Sequence, residues 1–175
     1  MKSLSLIVIL TLGSGVVLAQ NPPPPPAHFT VYSYSTPGNP VSGSHSWAVF
    51  ERGGERIEIS WGPKEIAGTD AIRRPVPGAN FDAMSYAKAN KRIVHAFGPH
   101  KCSSVLFDRA KAWRAKLDSG KVMYVLLDVH DRPSACNCIS AVLLAGGLRP
   151  ITGLRHGPTA SVKIARVLNR YYGER

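Results

Sequence analysis

The sequence predicts an α+β domain, an antiparallel sheet packed by helices. Three stretches carry that expectation. Phe29 to Ser35 and the Trp47–Trp61 region alternate apolar and polar residues around glycine and proline turns, as strands do. Residues 104–119 repeat apolar side chains at helical spacing. Late in the chain, a strand-like run from Val122 to Val129 leads into Ala135-Cys136-Asn137-Cys138-Ile139-Ser140-Ala141-Val142-Leu143-Leu144-Ala145, an apolar helix closed by Gly146-Gly147.

In chain order, residues 1–19 read as a secretory signal. Lys2 supplies the positive start, Leu4 to Leu12 the apolar stretch, and Val17-Leu18-Ala19 the small-residue cleavage site. The apolar stretch is shorter than the roughly 20 residues of a helical span, so no transmembrane span is expected after cleavage. The mature chain is expected to be periplasmic or secreted. Residues 20–28, with Pro22 to Pro26, form a stiff proline-rich linker, and 29–175 form one domain. After the first strand, Pro37-Gly38-Asn39-Pro40 is a turn. Trp47 to Phe50 and Glu55 to Trp61 then pair across Gly53-Gly54. A two-residue turn there sets Arg52 opposite Glu55, Val49 opposite Glu58, Trp47 opposite Ser60 and His45 opposite Gly62. His45, Glu58 and Ser60 then share a face.

Residues 62–80 are rich in turn formers and are expected to wander over the surface. Phe81 to Asn90 reads as a short helix, and Arg92 to Phe97 as a strand stopped by Gly98-Pro99. Ser104 is the expected cap of a helix ending at Gly120, with Leu106, Ala110, Trp113 and Leu117 on its buried face and Lys111, Arg114 and Lys116 mostly in water. Lys121 to Asp128 is the strand before the cysteine helix. Pro150 to Pro158 is a loop, and Thr159 caps a last helix reaching Tyr172.

Charge and cysteines bound the function. The chain of 175 residues carries 22 Lys and Arg against 11 Asp and Glu, a net charge of +11. So basic a surface suits anionic envelope polymers or headgroups. The sequence lacks the interleaved basic and aromatic residues of a specific nucleic-acid site. Three cysteines in an oxidising compartment leave one thiol over. Cys136 and Cys138 stand too close to bridge comfortably. A Cys102–Cys136 disulfide leaves Cys138 as a thiol, a Cys102–Cys138 disulfide removes it, and the sequence allows either.

Cys138 sits in the first turn of its helix, where amide groups and the helix dipole favour a thiolate. A His at the start of an early hairpin, Ser44-His45-Ser46-Trp47-Ala48, followed late by Asn137-Cys138, resembles the permuted papain-like cysteine hydrolases. That group includes the lecithin:retinol acyltransferase type and relatives of the cell-wall peptidases. The resemblance spans roughly residues 43–147 as an order of elements. Glu58-Ile59-Ser60-Trp61-Gly62-Pro63 and Asn137-Cys138-Ile139 are also similar to a set of uncharacterised bacterial proteins. The resemblance implies that Cys138 attacks a carbonyl, that His45 moves the proton, and that the Cys138 amide holds the oxyanion, with Asn137 orienting the turn or lending a donor. It also implies a polar residue on the following strand that steadies the imidazole. Gly62 has no side chain for this role. Ser60 is the first candidate and Glu58 the second.

On that reading the chain is an exported thiol hydrolase, or acyltransferase, acting on amide or ester bonds of an envelope peptide or acyl substrate. The other class is a non-enzymatic basic domain that binds an anionic envelope polymer. Trp47 and Trp61 are hairpin packing or the walls of a substrate cleft. Arg155 and His156 are a solvated loop or the receptor of an anionic substrate group. His95, His100 and Cys102, or His130, Cys136 and Cys138, combine soft sulfur with imidazole, but their spacing matches no firm ligand signature, so neither metal nor cofactor is expected.

Overall fold

Strand β1 (Ala27–Ser35) is the axis of the first sheet. It pairs antiparallel with β2 (His45–Arg52) on one side and with β6 (Ile93–Cys102) on the other. Strand β3 (Glu55–Ile59) adds to β2, giving the order β3-β2-β1-β6. A second sheet, in the order β4-β5-β7-β8, contains β4 (Trp61–Pro63), β5 (Val76–Asn80), β7 (Met123–Tyr124) and β8 (Ala135–Cys136). All its pairings are antiparallel except β7 with β8, which is parallel. Four helices complete the described fold: α1 (Ala83–Ala89), α2 (Ser104–Asp118), α3 (Cys138–Ala145) and α4 (Pro158–Tyr172). The computed structural model describes residues 25–35, 44–65, 74–126, 134–149 and 158–173. The signal-like segment, most of the proline run, Arg155, His156 and His130 lie outside them. The protein is thus an α+β molecule with largely antiparallel sheets.

The β2–β3 hairpin forms in the expected register, with Arg52 opposite Glu55 and Val49 opposite Glu58. Gly53 and Gly54 both take positive φ, 55° and 86°, which is the backbone a two-residue hairpin turn demands and glycine tolerates best. Alternation along β1 and β2 gives the sheet two apolar faces. Phe29, Val31, Ala48, Phe50 and Ile59 join the main core with Leu106, Phe107 and Leu117 of α2, Val142 and Leu143 of α3, and Ile164 and Leu168 of α4. The other face carries Tyr34, Trp47 and Val49, covered by Ala83 and Ala87 of α1.

Several boundaries differ from the sequence expectation. The strand expected to stop before Gly98-Pro99 continues to Cys102. β6 lies at the sheet edge and takes an extra residue between the Phe29 and Val31 positions of β1. An edge bulge tolerates a residue with no amide hydrogen. Residues 62–80 are not a plain surface loop, because their two ends are β4 and β5, paired as Trp61–Asn80 and Pro63–Gly78. Trp61 is fully buried and lies across Gly78, where a Cβ would come within 2.1 Å of its Cζ2. Only a glycine admits that indole. Of the strand expected over 121–128, Met123–Tyr124 is the paired part within the described residues. The cap of α2 is Ser103, without a side-chain bond, and α4 begins at Pro158. β1 starts at Ala27, inside the expected linker.

Candidate functional site

The cysteine helix is fixed at both ends. At its start, Asn137 Oδ1 accepts from the Ser140 amide at 2.8 Å, and Nδ2 donates to the Leu126 carbonyl at 3.3 Å. Asn137 is therefore an N-cap that also ties the helix to the preceding segment. Cys138 is the first helical residue and is 1% exposed. At the other end, Arg109 of α2 donates to the Gly146 carbonyl at 3.1 Å, and the Tyr172 hydroxyl donates to the same oxygen. A cation there complements the negative end of the helix dipole. Gly147 takes φ 67° just beyond.

His45 opens β2 and is 6% exposed. Its Nε2 lies 3.0 Å from the Ser60 hydroxyl oxygen, and both groups are buried. The partner comes to His45 because the chain leaves the first sheet after Ile59. Sheet pairing ends at Ala48–Ile59, and Gly62, expected opposite His45, instead pairs with Ala79 in the second sheet. Ser60 is the pivot between the sheets. Its amide donates to Asn80 Oδ1 at 3.1 Å, and Asn80 Nδ2 donates to Asp118 at 2.9 Å. Arg114 donates to both Asp118 oxygens, at 2.7 and 3.0 Å, and to the Glu58 carbonyl at 2.6 Å. A polar chain thus runs from α2 through Asn80 to Ser60 and the imidazole. Glu58, the second candidate for steadying His45, instead pairs its carboxylate with Arg56 at 2.8 Å.

Aromatic rings enclose the imidazole. Phe81 lies 4.9 Å from it, Tyr34 5.6 Å and Trp47 6.1 Å, centroid to centroid. Tyr34 is also the residue paired with His45 across the β1–β2 ladder. Trp47 and Trp61 are both fully buried. Trp47 stacks on Tyr32, and the Trp61 indole donates to the Met123 carbonyl at 3.4 Å. Of the two roles the sequence left them, hairpin packing or cleft wall, full burial fits packing.

Tyr34 relates the two candidate residues to each other. Burial pushes its hydroxyl well above the ordinary range, and Tyr86 and then Cys138 add to the effect. Tyr34 also packs against the His45 ring. Tyr124 behaves alike, raised first by burial and then by Cys138, Tyr34 and Cys136. Neither tyrosine was among the sequence candidates. Their signal was the register of β1 against β2 for Tyr34, and of β7 against Cys136 for Tyr124.

The three cysteines are buried thiols. Neither of the two pairings that the sequence allows, Cys102–Cys136 or Cys102–Cys138, is present; Cys102 ends β6 of the first sheet and Cys136 lies in β8 of the second. Arg155 and His156 fall outside the described residues.

No family model matches this chain, and neither a curated protein nor a solved structure matches it.

Proposed function

We propose that the protein is an exported thiol hydrolase that cleaves amide or ester bonds through Cys138 and His45, on the permuted papain-like pattern. The observation that carries this reading is the buried imidazole of His45, 3.0 Å from the Ser60 hydroxyl oxygen and packed against Tyr34. Asn137, capping the helix that Cys138 opens, supports it further. With the proton on Nε2 and donated to the Ser60 oxygen, the imidazole presents the Nδ1 lone pair.

The chemistry then runs in two steps. His45 takes the Cys138 thiol proton, the sulfur adds to the carbonyl carbon, and the oxyanion is held by the amide of Cys138 at the helix start. Collapse breaks the carbonyl–nitrogen or carbonyl–oxygen bond, and His45 protonates the leaving amine or alcohol. Water, deprotonated by His45, attacks the thioester, releasing the acid and restoring the thiol. An acyltransferase differs only in the final acceptor, an amine or alcohol in place of water. The substrate class, an envelope peptide or acyl group, rests on the export signal and the net charge of +11. Because Cys138 is only 1% exposed, substrate reaches it when the surrounding side chains part.

A small activated ester such as p-nitrophenyl acetate tests this reading. Mass spectrometry of the quenched protein is expected to find one acetyl group on Cys138, absent in Cys138→Ala and strongly reduced in His45→Ala. Acetylation confined to lysines, or equal in His45→Ala, rejects the hydrolase and leaves the basic binding domain.

A further inference from the structure

Phe81 differs from the other groups around the His45 ring. Tyr34, Trp47 and Ser60 are buried. Tyr34 and Trp47 stand in the paired strands β1 and β2, and Ser60 is bonded to Nε2. Phe81, with its centroid 4.9 Å from that of the imidazole, is half-buried. It lies between β5 and α1, in neither strand nor helix. Its amide donates to the Ser60 carbonyl at 3.2 Å. The backbone is therefore held, and the ring is free to move by side-chain rotation. Among the described neighbours of His45, Phe81 is the one that can uncover it without breaking a strand pair.

The place that Phe81 fills is a slot about one ring thick. Its floor is the bare backbone of Gly62 in β4, where a Cβ would come within 2.8 Å of the Phe81 Cε1. Its outer wall is Tyr86 of α1, whose ring meets Phe81 at 81° with centroids 6.1 Å apart. Tyr86 also packs on Tyr34 at 5.7 Å and is 43% exposed. Helix α1 holds it there, because Ala83 and Ala87 are buried against the sheet and Asp82 caps the Ser85 amide at 2.9 Å. The inner end of the slot is His45.

We infer that this slot is the leaving-group subsite and takes a flat aromatic ring, which replaces Phe81 when that side chain swings out. The inference rests on the reaction proposed for Cys138 and His45. In that reaction the sulfur bonds to the carbonyl carbon, and the bond from that carbon to the leaving oxygen or nitrogen breaks. His45 gives the leaving atom the proton it took from the thiol. The leaving atom must then stand against the imidazole, and the group it carries falls where Phe81 lies. An incoming ring restores the contacts that Phe81 gives up with His45, Tyr86 and the Gly62 backbone. A saturated or branched group is too thick for the slot and has no ring face to offer. The substrate class is an aryl ester, or an amide whose amine carries an aromatic side chain.

Phenyl acetate and hexafluoroisopropyl acetate separate the outcomes, since both deliver an acetyl group and their alcohols are of comparable acidity. Acetylation of Cys138 is followed by mass spectrometry, and each rate is divided by that of free cysteine with the same ester. A ring contact contributes roughly threefold to tenfold, so the parent is expected to favour the phenyl ester by at least about tenfold. Gly62→Ala fills the floor of the slot, and Tyr86→Leu removes the wall ring from an exposed helix position. Each is expected to bring the ratio to within about threefold of one. Tyr86→Leu keeps the test decisive if Gly62→Ala does not fold. A parent ratio near one, with Cys138 acetylated in a His45-dependent way, overturns the subsite and leaves the hydrolase standing. A high ratio that neither variant changes overturns the subsite as well. Acetylation by either ester that is no faster than in His45→Ala overturns the thiol chemistry and the subsite with it.

Discussion

Removing the Asn137 side chain separates the stability of the cysteine helix from the chemistry of its thiol. In Asn137→Ala the Ser140 amide loses its cap at 2.8 Å, and the Leu126 carbonyl loses a donor at 3.3 Å. A lost N-cap costs about 1 kcal/mol, and a lost hydrogen bond at a part-buried site costs about 1 kcal/mol more. The sum is about 2 kcal/mol. With a urea slope of about 2 kcal/mol/M the midpoint falls by about 1 M. Urea unfolding followed by tryptophan fluorescence measures this, since Trp47 and Trp61 are fully buried. Asn137→Asp is the informative partner. Its carboxylate keeps the cap and suits the helix dipole, so stability is expected to stay within about 1 kcal/mol of the parent. The added negative charge beside Cys138 opposes the thiolate, so alkylation of Cys138 near neutral pH is expected to slow. An Asn137→Ala protein that unfolds at the parent's urea midpoint would refute the two-ended anchoring of α3.

Three other expectations follow from the geometry. Gly78→Ala drives a methyl into the Trp61 ring, 2.1 Å from Cζ2, and is expected to cost about 1–3 kcal/mol through overpacking; thermal unfolding checks it, and an unchanged midpoint contradicts it. Ser60→Ala leaves buried His45 Nε2 without its 3.0 Å partner. A hydrogen bond to an imidazolium is worth about 1.5–3 kcal/mol, so Cys138 alkylation is expected to fall at least about tenfold; an unchanged rate removes Ser60 from the site. Tyr34 and Tyr124 are held above the ordinary tyrosine range, chiefly by burial. The unfolded chain, with tyrosines near pH 10, then releases protons that the folded protein keeps. Stability is therefore full below about pH 10 and declines as pH rises above it. Melting temperatures between pH 8 and 11 are expected to drop at the alkaline end, and less steeply in Tyr34→Phe.

Local signals in the sequence carried the elements that depend on them. Gly53-Gly54 set the hairpin register, because a two-residue turn of positive φ leaves little choice of pairing. Gly146-Gly147 marked the end of the cysteine helix, and the Leu106–Leu117 stripe marked the buried face of α2. Long-range packing decided what was missed. The second sheet exists because Trp61 turns away from β2 and needs Gly78 beneath it, a fit between residues far apart in the chain. Pro99 read as a strand stop, yet an edge bulge accommodates it. At the site, Ser60 was reachable from the hairpin register. Its support by Asn80 and Asp118 was not, since these residues come from β5 and the end of α2. Tyr34 carries no signal of its own in the sequence, because only the β1–β2 ladder sets it opposite His45.

The central proposal is that His45 serves as the base for the Cys138 thiol, and the rate of Cys138 alkylation as a function of pH tests it most directly. Iodoacetamide labelling of the protein, followed by mass spectrometry at Cys138, is expected to be rapid near neutral pH. In His45→Ala the profile is expected to move up to that of an ordinary thiol, near pH 8.5. Coincident profiles for the two proteins would contradict the account.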